Sequence, residues 1–177
     1  KVKARPCVIK AQVLAGGRGK AGGVRIAKTT QEARAAIMAL LGTRLVTKQT
    51  GAAGELVRRV LVEPCSTILH EYYVGLVIDR SRETPVLLCS REGGMEIEEL
   101  AARAPEAILK EPLDVTRGLQ AFQARKVVYA LGLTDPRMVE QGVALLRNLA
   151  RLGLDLGASL VEINPLALTK GRGLVAI

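Results

Sequence analysis

The segment Ala15–Gly23, with the sequence AGGRGKAGG, combines five glycines with two cations, Arg18 and Lys20. Glycines allow backbone N–H groups to approach phosphate oxygens closely, and nearby cations add charge to such a cradle. The segment matches neither of the common glycine-rich phosphate motifs. It also leads into an extended stretch, so the N-terminus of a helix does not supply the anion site. The sequence indicates a phosphate-binding loop, with a flexible basic hairpin as the alternative.

Three charged residues lie where strands are expected. Lys10 lies within the apolar run PCVIKAQVL, where a lysine needs either a partner, such as a phosphate, or a route to water. Glu63 ends a strand just before Pro64, and Glu71 begins the next one. Each carboxylate could accept hydrogen bonds from ribose hydroxyls, or could simply face solvent.

The segment Glu162-Ile-Asn-Pro165 carries two oxygen-bearing side chains two residues apart. On a strand, Glu162 and Asn164 share a face. Oxygen ligands on one face suit a Mg²⁺ ion that bridges to phosphates, whereas the alternative is a polar edge that faces solvent. The acidic stretch from Glu92 to Glu99 is interpreted as structural, because acidic residues stabilise the start of a helix.

The remaining reactive residues predict no metal site or nucleophile. Cys7, Cys65 and Cys89 are widely spaced, without the ligand spacing of a zinc site, and are predicted to be buried thiols in a reducing compartment. The only histidine, His70, has no partner nearby in the sequence, so we do not expect it to be catalytic.

Composition limits the class of protein. The chain has 177 residues, is 49% hydrophobic and carries a net charge of +9, so it can bury a core and suits an anionic partner. It has one Phe, three Tyr and no Trp, which argues against stacking on single-stranded nucleic acid. No apolar run is long enough to span a membrane, and no signal peptide is visible.

The elements that must position these residues alternate irregularly between strands and helices. This order predicts an α+β (mixed α/β) fold rather than a regular doubly wound sheet. Pro165 predicts a bend or an edge in its strand. One face of the fourth helix is predicted to carry Met138, Gly142, Leu145, Leu149 and Leu152. The predicted strands are 6–14, 24–27, 45–49, 57–63, 68–79, 85–90, 108–113, 158–168 and 174–177, and the predicted helices are 29–41, 95–103, 119–131 and one beginning at 134–136.

Taken in order, several segments resemble the β subunits of succinyl-CoA synthetases (succinate–CoA ligases). They are VIKAQVLAGGRGKAGGV, LVTKQT, VLVE, EYYVGLVIDR, EGGMEIEELA and SLVEINPLALT, and together they cover essentially the whole chain. The resemblance implies an ATP-grasp fold with two lobes, approximately 1–63 and 64–177, and nucleotide between their sheets. It also implies the reversible reaction of succinate, coenzyme A and ATP (or GTP) to give succinyl-CoA, ADP (or GDP) and phosphate, an acid–thiol ligase step of the tricarboxylic acid cycle.

The resemblance assigns expected roles residue by residue. Lys10 would contact phosphates, and the loop residues Gly17, Arg18 and Gly19 would hold the nucleotide. Glu63, the backbone at Ser66, and Glu71 would bind base and ribose. Asn164 would be one Mg²⁺ ligand.

The resemblance also implies what lies outside this chain. A second metal-binding Asp would follow just beyond Ile177, and the segment that begins the β subunit and its C-terminal ligase domain are both expected to be missing. The phosphorylated histidine would belong to a partner α subunit, in a heterodimer or heterotetramer, in bacterial cytoplasm or the mitochondrial matrix. Leu14 stands where the family often has His. We therefore expect a fragment that is inactive alone.

Three alternatives stay open. The first is the β subunit of malate–CoA ligase, a close relative. The second is a basic, non-enzymatic module that binds anions or nucleic acid, which the net charge supports. The third is a remnant that serves only as an assembly surface.

Overall fold

The computed structural model describes residues 5–171 and 173–177, which divide into two compact units, one ending at Ser66 and the other beginning at Thr67. The first unit holds strands β1 to β5 and helix α1: β1 Cys7–Ala11, β2 Val24–Ala27, α1 Thr30–Leu40, β3 Arg44–Leu45, β4 Glu55–Leu56 and β5 Val60–Pro64. Assigning the two units to two functional lobes stays a prediction.

In the first unit, β1 is the central strand of an antiparallel sheet with the order β2-β1-β5. Helix α1 begins where predicted: the Thr29 hydroxyl accepts from the Glu32 N–H at 3.1 Å, and the Glu32 carboxylate accepts from the Lys28 N–H at 2.8 Å. The small core of this unit joins residues of the sheet, α1 and the β3–β4 pair: Ile9, Ala11, Ala27, Ala36, Leu40, Leu45 and Val57.

Three predicted strands of this unit were wrong in extent, and the one predicted over 6–14 is observed only as Cys7–Ala11. The strand predicted over 45–49 ends at Leu45, because the hydroxyls of Thr47 and Thr50 form a local turn in which Thr50 Oγ1 accepts from the Thr47 N–H at 2.8 Å. The strand predicted over 57–63 is divided, because Val57 exchanges hydrogen bonds with Gly42 and Thr43 rather than with β1. Apolar alternation cannot show such a change of partner.

The second unit holds β6 Ile68–Asp79, β7 Thr84–Ser90, α2 Ile97–Arg103, a 3₁₀ turn Pro105–Ala107, β8 Ile108–Pro112, α3 Ala121–Ala130, α4 Pro136–Asp155, β9 Leu160–Thr169 and β10 Gly173–Ala176. Its five strands form one antiparallel sheet with the order β10-β9-β6-β7-β8. Helices α3 and α4 and one face of this sheet share a large apolar core, which includes Tyr72, Val74, Val128 and Leu146.

Helix α4 begins as predicted, with Asp135 accepting from the Arg137 and Met138 N–H groups and Pro136 in the first turn. Its predicted face is confirmed in part: Gly142 and Leu149 are buried, and Met138 and Leu145 pack against the core, but Leu146, Ala150 and Gly153 are buried as well. Leu152 is half-exposed, whereas Gly153 is buried against Leu76 of β6 so closely that a Cβ would collide. Small residues let the helix backbone approach the sheet, and a pattern based on large apolar residues misses them.

Strand β9 lies between β10 and β6, so the edge alternative for Pro165 was wrong. The bend was correct: Leu166 pairs with Tyr72 and Ile163 with Val74, so Asn164 and Pro165 together oppose Tyr73. Proline is tolerated in a sheet at such a bulge. In the part of the chain that the structure describes, no helix is both long and apolar enough to cross a membrane.

Candidate functional site

The glycine-rich loop connects β1 to β2 and has a defined hydrogen-bonded shape. The Ala11 N–H donates to the Gly23 carbonyl at 2.7 Å, and the Gly23 N–H donates to the Arg18 carbonyl at 2.8 Å. Gly17 has φ +70°, a conformation that favours glycine. The loop is therefore a structured turn within a hairpin, as a phosphate cradle requires.

Two side chains that sequence reasoning missed hold the start of this loop. The Gln49 side-chain oxygen accepts from the Gly16 N–H at 2.7 Å, and the Glu55 carboxylate accepts from the Leu14 N–H at 3.1 Å. Both lie more than 30 residues away along the chain, and no local pattern marks them. Leu14, the position of the expected family His, is exposed to solvent.

Arg18 bends back toward the strand from which the loop starts. Its guanidinium donates to the Ala11 carbonyl at 3.0 Å, so its positive charge is held beside the C-terminal end of β1. The expected nucleotide contact of Arg18, like those of Gly17 and Gly19, stays a prediction.

Lys10 and Glu63 form an ion pair on one face of the first sheet. Glu63 is directly opposite Val8, and Lys10 lies two residues further along β1, so the two side chains share a face. Only 14% of the Lys10 side chain and 32% of the Glu63 side chain are exposed. The partner that a lysine in an apolar strand requires is therefore present in the protein itself.

The surroundings of this pair are apolar and open. Val24 and Ile26 of β2 and Leu61 of β5 lie on the same face by register, and Ile26 and Leu61 are exposed. An uncovered apolar sheet face beside a half-buried cation suits a ligand with a flat ring and an anionic tail. Ser66, half-buried, lies three residues beyond Glu63 at the end of the first unit.

In the second unit, Glu71 and Asn164 converge on the turn between β7 and α2. The Gly93 N–H donates to the Glu71 carbonyl at 3.1 Å, and the Gly94 N–H donates to Asn164 Oδ1 at 3.0 Å. Asn164 Nδ2 in turn donates to the Met95 carbonyl at 2.8 Å. Two predicted site residues, 93 positions apart in sequence, are thus joined through one short turn.

Glu162 lies near this turn and is held by a buried tyrosine. The Tyr73 hydroxyl donates to Glu162 Oε2 at 3.2 Å. Burial raises the pKa of Tyr73 well above its usual range, and the charge of Glu162 raises it further. Tyr73 therefore stays protonated and remains a donor across the physiological range.

The oxygen donors in this region fit a magnesium ion. Asn164 Oδ1 accepts one hydrogen bond, which leaves a second lone pair, and the Glu162 carboxylate offers further oxygens on the same strand. Mg²⁺ is commonly bound by one or two such protein oxygens together with phosphates and water. Among residues 5–171 and 173–177, no three His, Cys, Asp or Glu side chains form a metal-binding group.

The cysteines lie outside these arrangements, whereas His70 contacts the start of the turn that follows β7. The ring of His70 packs at a tilt against Tyr72, and its Nε2 is 2.8 Å from the Arg91 carbonyl oxygen. Cys89 is buried, but Cys65 is exposed and Cys7 is half-buried, so the prediction of three buried thiols was wrong for two of them. Cys65 lies past the end of β5, where no core covers it.

The comparisons with known proteins agree with this architecture. A family model described as an ATP-grasp domain matches residues 1–168. The succinate–CoA ligase [ADP-forming] subunit beta of Geobacillus thermodenitrificans is 47% identical over 97% of this chain. The chain spans 44% of the length of that relative.

Solved structures with the same fold are more distant in sequence. The ATP citrate lyase of Methanothrix soehngenii, solved with citrate and coenzyme A, has a TM-score of 0.60 at 22% identity and is matched over 99% of this chain and 38% of its own. PH1788 from Pyrococcus horikoshii has a TM-score of 0.66 at 19% identity over 97% of this chain and 72% of its own. Together with the family match over nearly the whole chain, these findings show that the chain belongs to the ATP-grasp family.

Proposed function

We propose that the chain is the nucleotide-binding part of the β subunit of an ADP-forming succinate–CoA ligase. The observation that carries the proposal is the Lys10–Glu63 pair on an open apolar sheet face beside a structured glycine-rich loop. The 47% identity to the Geobacillus β subunit supports succinate as the acid and ATP as the nucleotide. The malate–CoA ligase alternative rests on family likeness alone.

In this proposal, the first unit binds the phosphates and part of the base. Lys10 donates a hydrogen bond to a phosphate oxygen. This new contact replaces part of the contact between Lys10 and Glu63. The backbone of Gly17, Arg18 and Gly19 approaches the phosphates, and Glu63 and the Ser66 backbone recognise the base. These roles need a cation that is already desolvated and held in place, which the half-buried position of Lys10 supplies.

The second unit supplies the ribose and metal contacts. The Glu71 carboxylate accepts from ribose hydroxyls, and Asn164 Oδ1, with Glu162 beside it, holds Mg²⁺. When bound there, Mg²⁺ neutralises phosphate charge and orients the transferred group. Tyr73 keeps the Glu162 carboxylate in place through its hydroxyl.

The remaining reaction steps belong to other parts of the enzyme. In this proposal the partner is an α subunit that carries the phosphorylated histidine, in a heterodimer or heterotetramer, and the succinate and coenzyme A sites lie outside residues 1–177. The compartment is the bacterial cytoplasm or the mitochondrial matrix. The isolated chain binds nucleotide but does not turn over.

Calorimetry with the purified chain tests this function. We expect MgATP to bind more tightly than MgGTP, and Lys10→Met to weaken MgATP binding by about 10- to 100-fold, because a charge-assisted hydrogen bond is lost. The matched control is Lys28→Met, which removes the same charge from an exposed lysine of the same unit.

Two results would contradict the proposal. One is an equal loss of affinity in the Lys10 and Lys28 variants, which would show that only the net charge of the unit matters for binding. The other is salt-sensitive binding to duplex DNA that is tighter than binding to MgATP, which would favour the nucleic-acid alternative.

A further inference from the structure

The turn at Gly93–Gly94 contacts both Glu71 and Asn164, the two second-unit residues to which the proposed function gives the ribose and the metal. The start of this turn is fixed as well. The Arg91 carbonyl oxygen is hydrogen-bonded to Nε2 of His70, and the Glu92 N–H donates to the buried Ser90 hydroxyl at 3.1 Å. The turn is therefore anchored to β6, β7 and β9.

Both glycines lie where a side chain has no room. A Cβ on Gly93 would lie against the backbone of Tyr72, 2.7 Å from its nitrogen. A Cβ on Gly94 would overlap the Glu71 carboxylate oxygen Oε2, and Gly94 has φ +72°. The Glu71 carboxylate thus occupies the space that any other residue at position 94 would need.

We infer that Gly93–Gly94 is a positioning element that sets the Glu71 carboxylate and the Asn164 amide together, so that ribose and metal recognition depend on one turn. Gly94 acts twice: its missing side chain leaves room for the Glu71 carboxylate, and its N–H orients Asn164 Oδ1. Displacement of the turn moves both groups at once. This inference rests on the proposed function.

The test is Gly94→Ala, measured by calorimetry with ATP in the presence and absence of Mg²⁺. We expect MgATP affinity to fall about tenfold or more, because a contact of Glu71 and the orientation of Asn164 are both lost. The gain in affinity that Mg²⁺ gives should shrink in the same variant. The matched control is Gly157→Ala, because Gly157 also has positive φ (+58°) in the second unit but its Cβ would meet nothing within 4 Å.

A double-mutant cycle separates positioning from general damage. Because Gly94 acts in part through Glu71, adding Gly94→Ala to Glu71→Gln should cost less affinity than Gly94→Ala costs alone, and the remaining loss is the part that acts through Asn164. Additive losses, or equal losses in the Gly94 and Gly157 variants, would overturn the inference.

A structural measurement distinguishes failure of the inference from failure of the proposed function. In ¹⁵N-labelled protein, the Asn164 side-chain amide should be protected from exchange in the unmodified chain and in Gly157→Ala but not in Gly94→Ala. An unprotected Asn164 amide in the unmodified chain would overturn the inference whatever the chain binds. A protected amide in a chain that binds no nucleotide would contradict the proposed function, and the positioning role would fall with it.

Discussion

The two units of this chain differ sharply in charge. Residues 1–66 hold thirteen Lys and Arg against three Asp and Glu, a net charge of +10, whereas residues 67–177 hold thirteen against fourteen, a net charge of −1. The whole basic excess of the protein therefore belongs to the unit with the glycine-rich loop. The carboxylate and amide candidates for ribose and metal belong mainly to the neutral unit.

The hydrophobic cores of the two units also differ in size. Among the described residues, the buried cluster of the first unit has seven members, three of them alanines, whereas that of the second unit has eighteen from both sheet and helices. The first unit therefore carries the cations that repel one another, and it also has the smaller amount of buried apolar surface to offset that repulsion. The difference is consistent with the roles proposed above, in which the first unit binds phosphates and the second holds oxygen ligands for ribose and metal.

The largest expected difference between the units is in thiol reactivity. Cys65 is exposed, whereas Cys89 is fully buried in the second core and burial raises its pKa. We expect a thiol reagent at pH 8 to label Cys65 about 1,000-fold faster than Cys89, because Cys89 reacts only after the second unit opens. Quantification of each labelled peptide by mass spectrometry measures this. Rates within tenfold of each other would show that the second core opens readily.

Matched leucine truncations test the two cores next. Leu146→Ala should destabilise the second unit by about 3 kcal/mol, and Leu40→Ala the first by about 2 kcal/mol, because a small core can relax around the cavity. Hydrogen exchange in β6 and β1 reports each unit separately. A larger loss in the first unit would reverse the comparison of the cores.

A smaller effect is expected at the loop of the first unit. Gln49→Ala removes the acceptor of the Gly16 N–H and should cost about 1 kcal/mol of local stability. The Gly16 amide should then exchange faster, while amides of β6 stay unchanged. Gln12→Ala is the control, since the Gln12 side chain donates to the nearby carbonyls of Lys10 and Ala11 and not to the loop. Equal effects in both variants would remove the role given to Gln49.

The smallest effect concerns salt. Raising NaCl from a low concentration to about 0.3 M screens the repulsion between the cations of the first unit, whose net charge is +10. Hydrogen exchange in β1 and β5 should then become slower, and the corresponding rise in the free energy of opening should be less than about 1 kcal/mol. Exchange in β6 and β7 should barely change, because the second unit is nearly neutral. A uniform response in both units would show that the charge asymmetry has no energetic consequence.

Local signals in the sequence were sufficient for several elements. The capping residues Thr29 and Asp135 predicted where α1 and α4 begin, and the long apolar run of 68–79 predicted β6, because these features depend on neighbours within a few positions. The resemblance predicted the ATP-grasp fold, which the family match confirms. The roles of Lys10, the loop, Glu63, Ser66, Glu71 and Asn164 stay predictions.

Contacts between distant segments were decided only by the tertiary structure. The sequence determined that Lys10 needed either a partner or a route to water, but the register of β1 and β5 decided that Glu63 is its partner. No pattern marked Gln49 as the tether of the loop, or Gly94 as the turn that links Glu71 to Asn164. The physical reason is that sequence periodicity fixes which face a side chain occupies, whereas strand order and helix packing fix what it meets there.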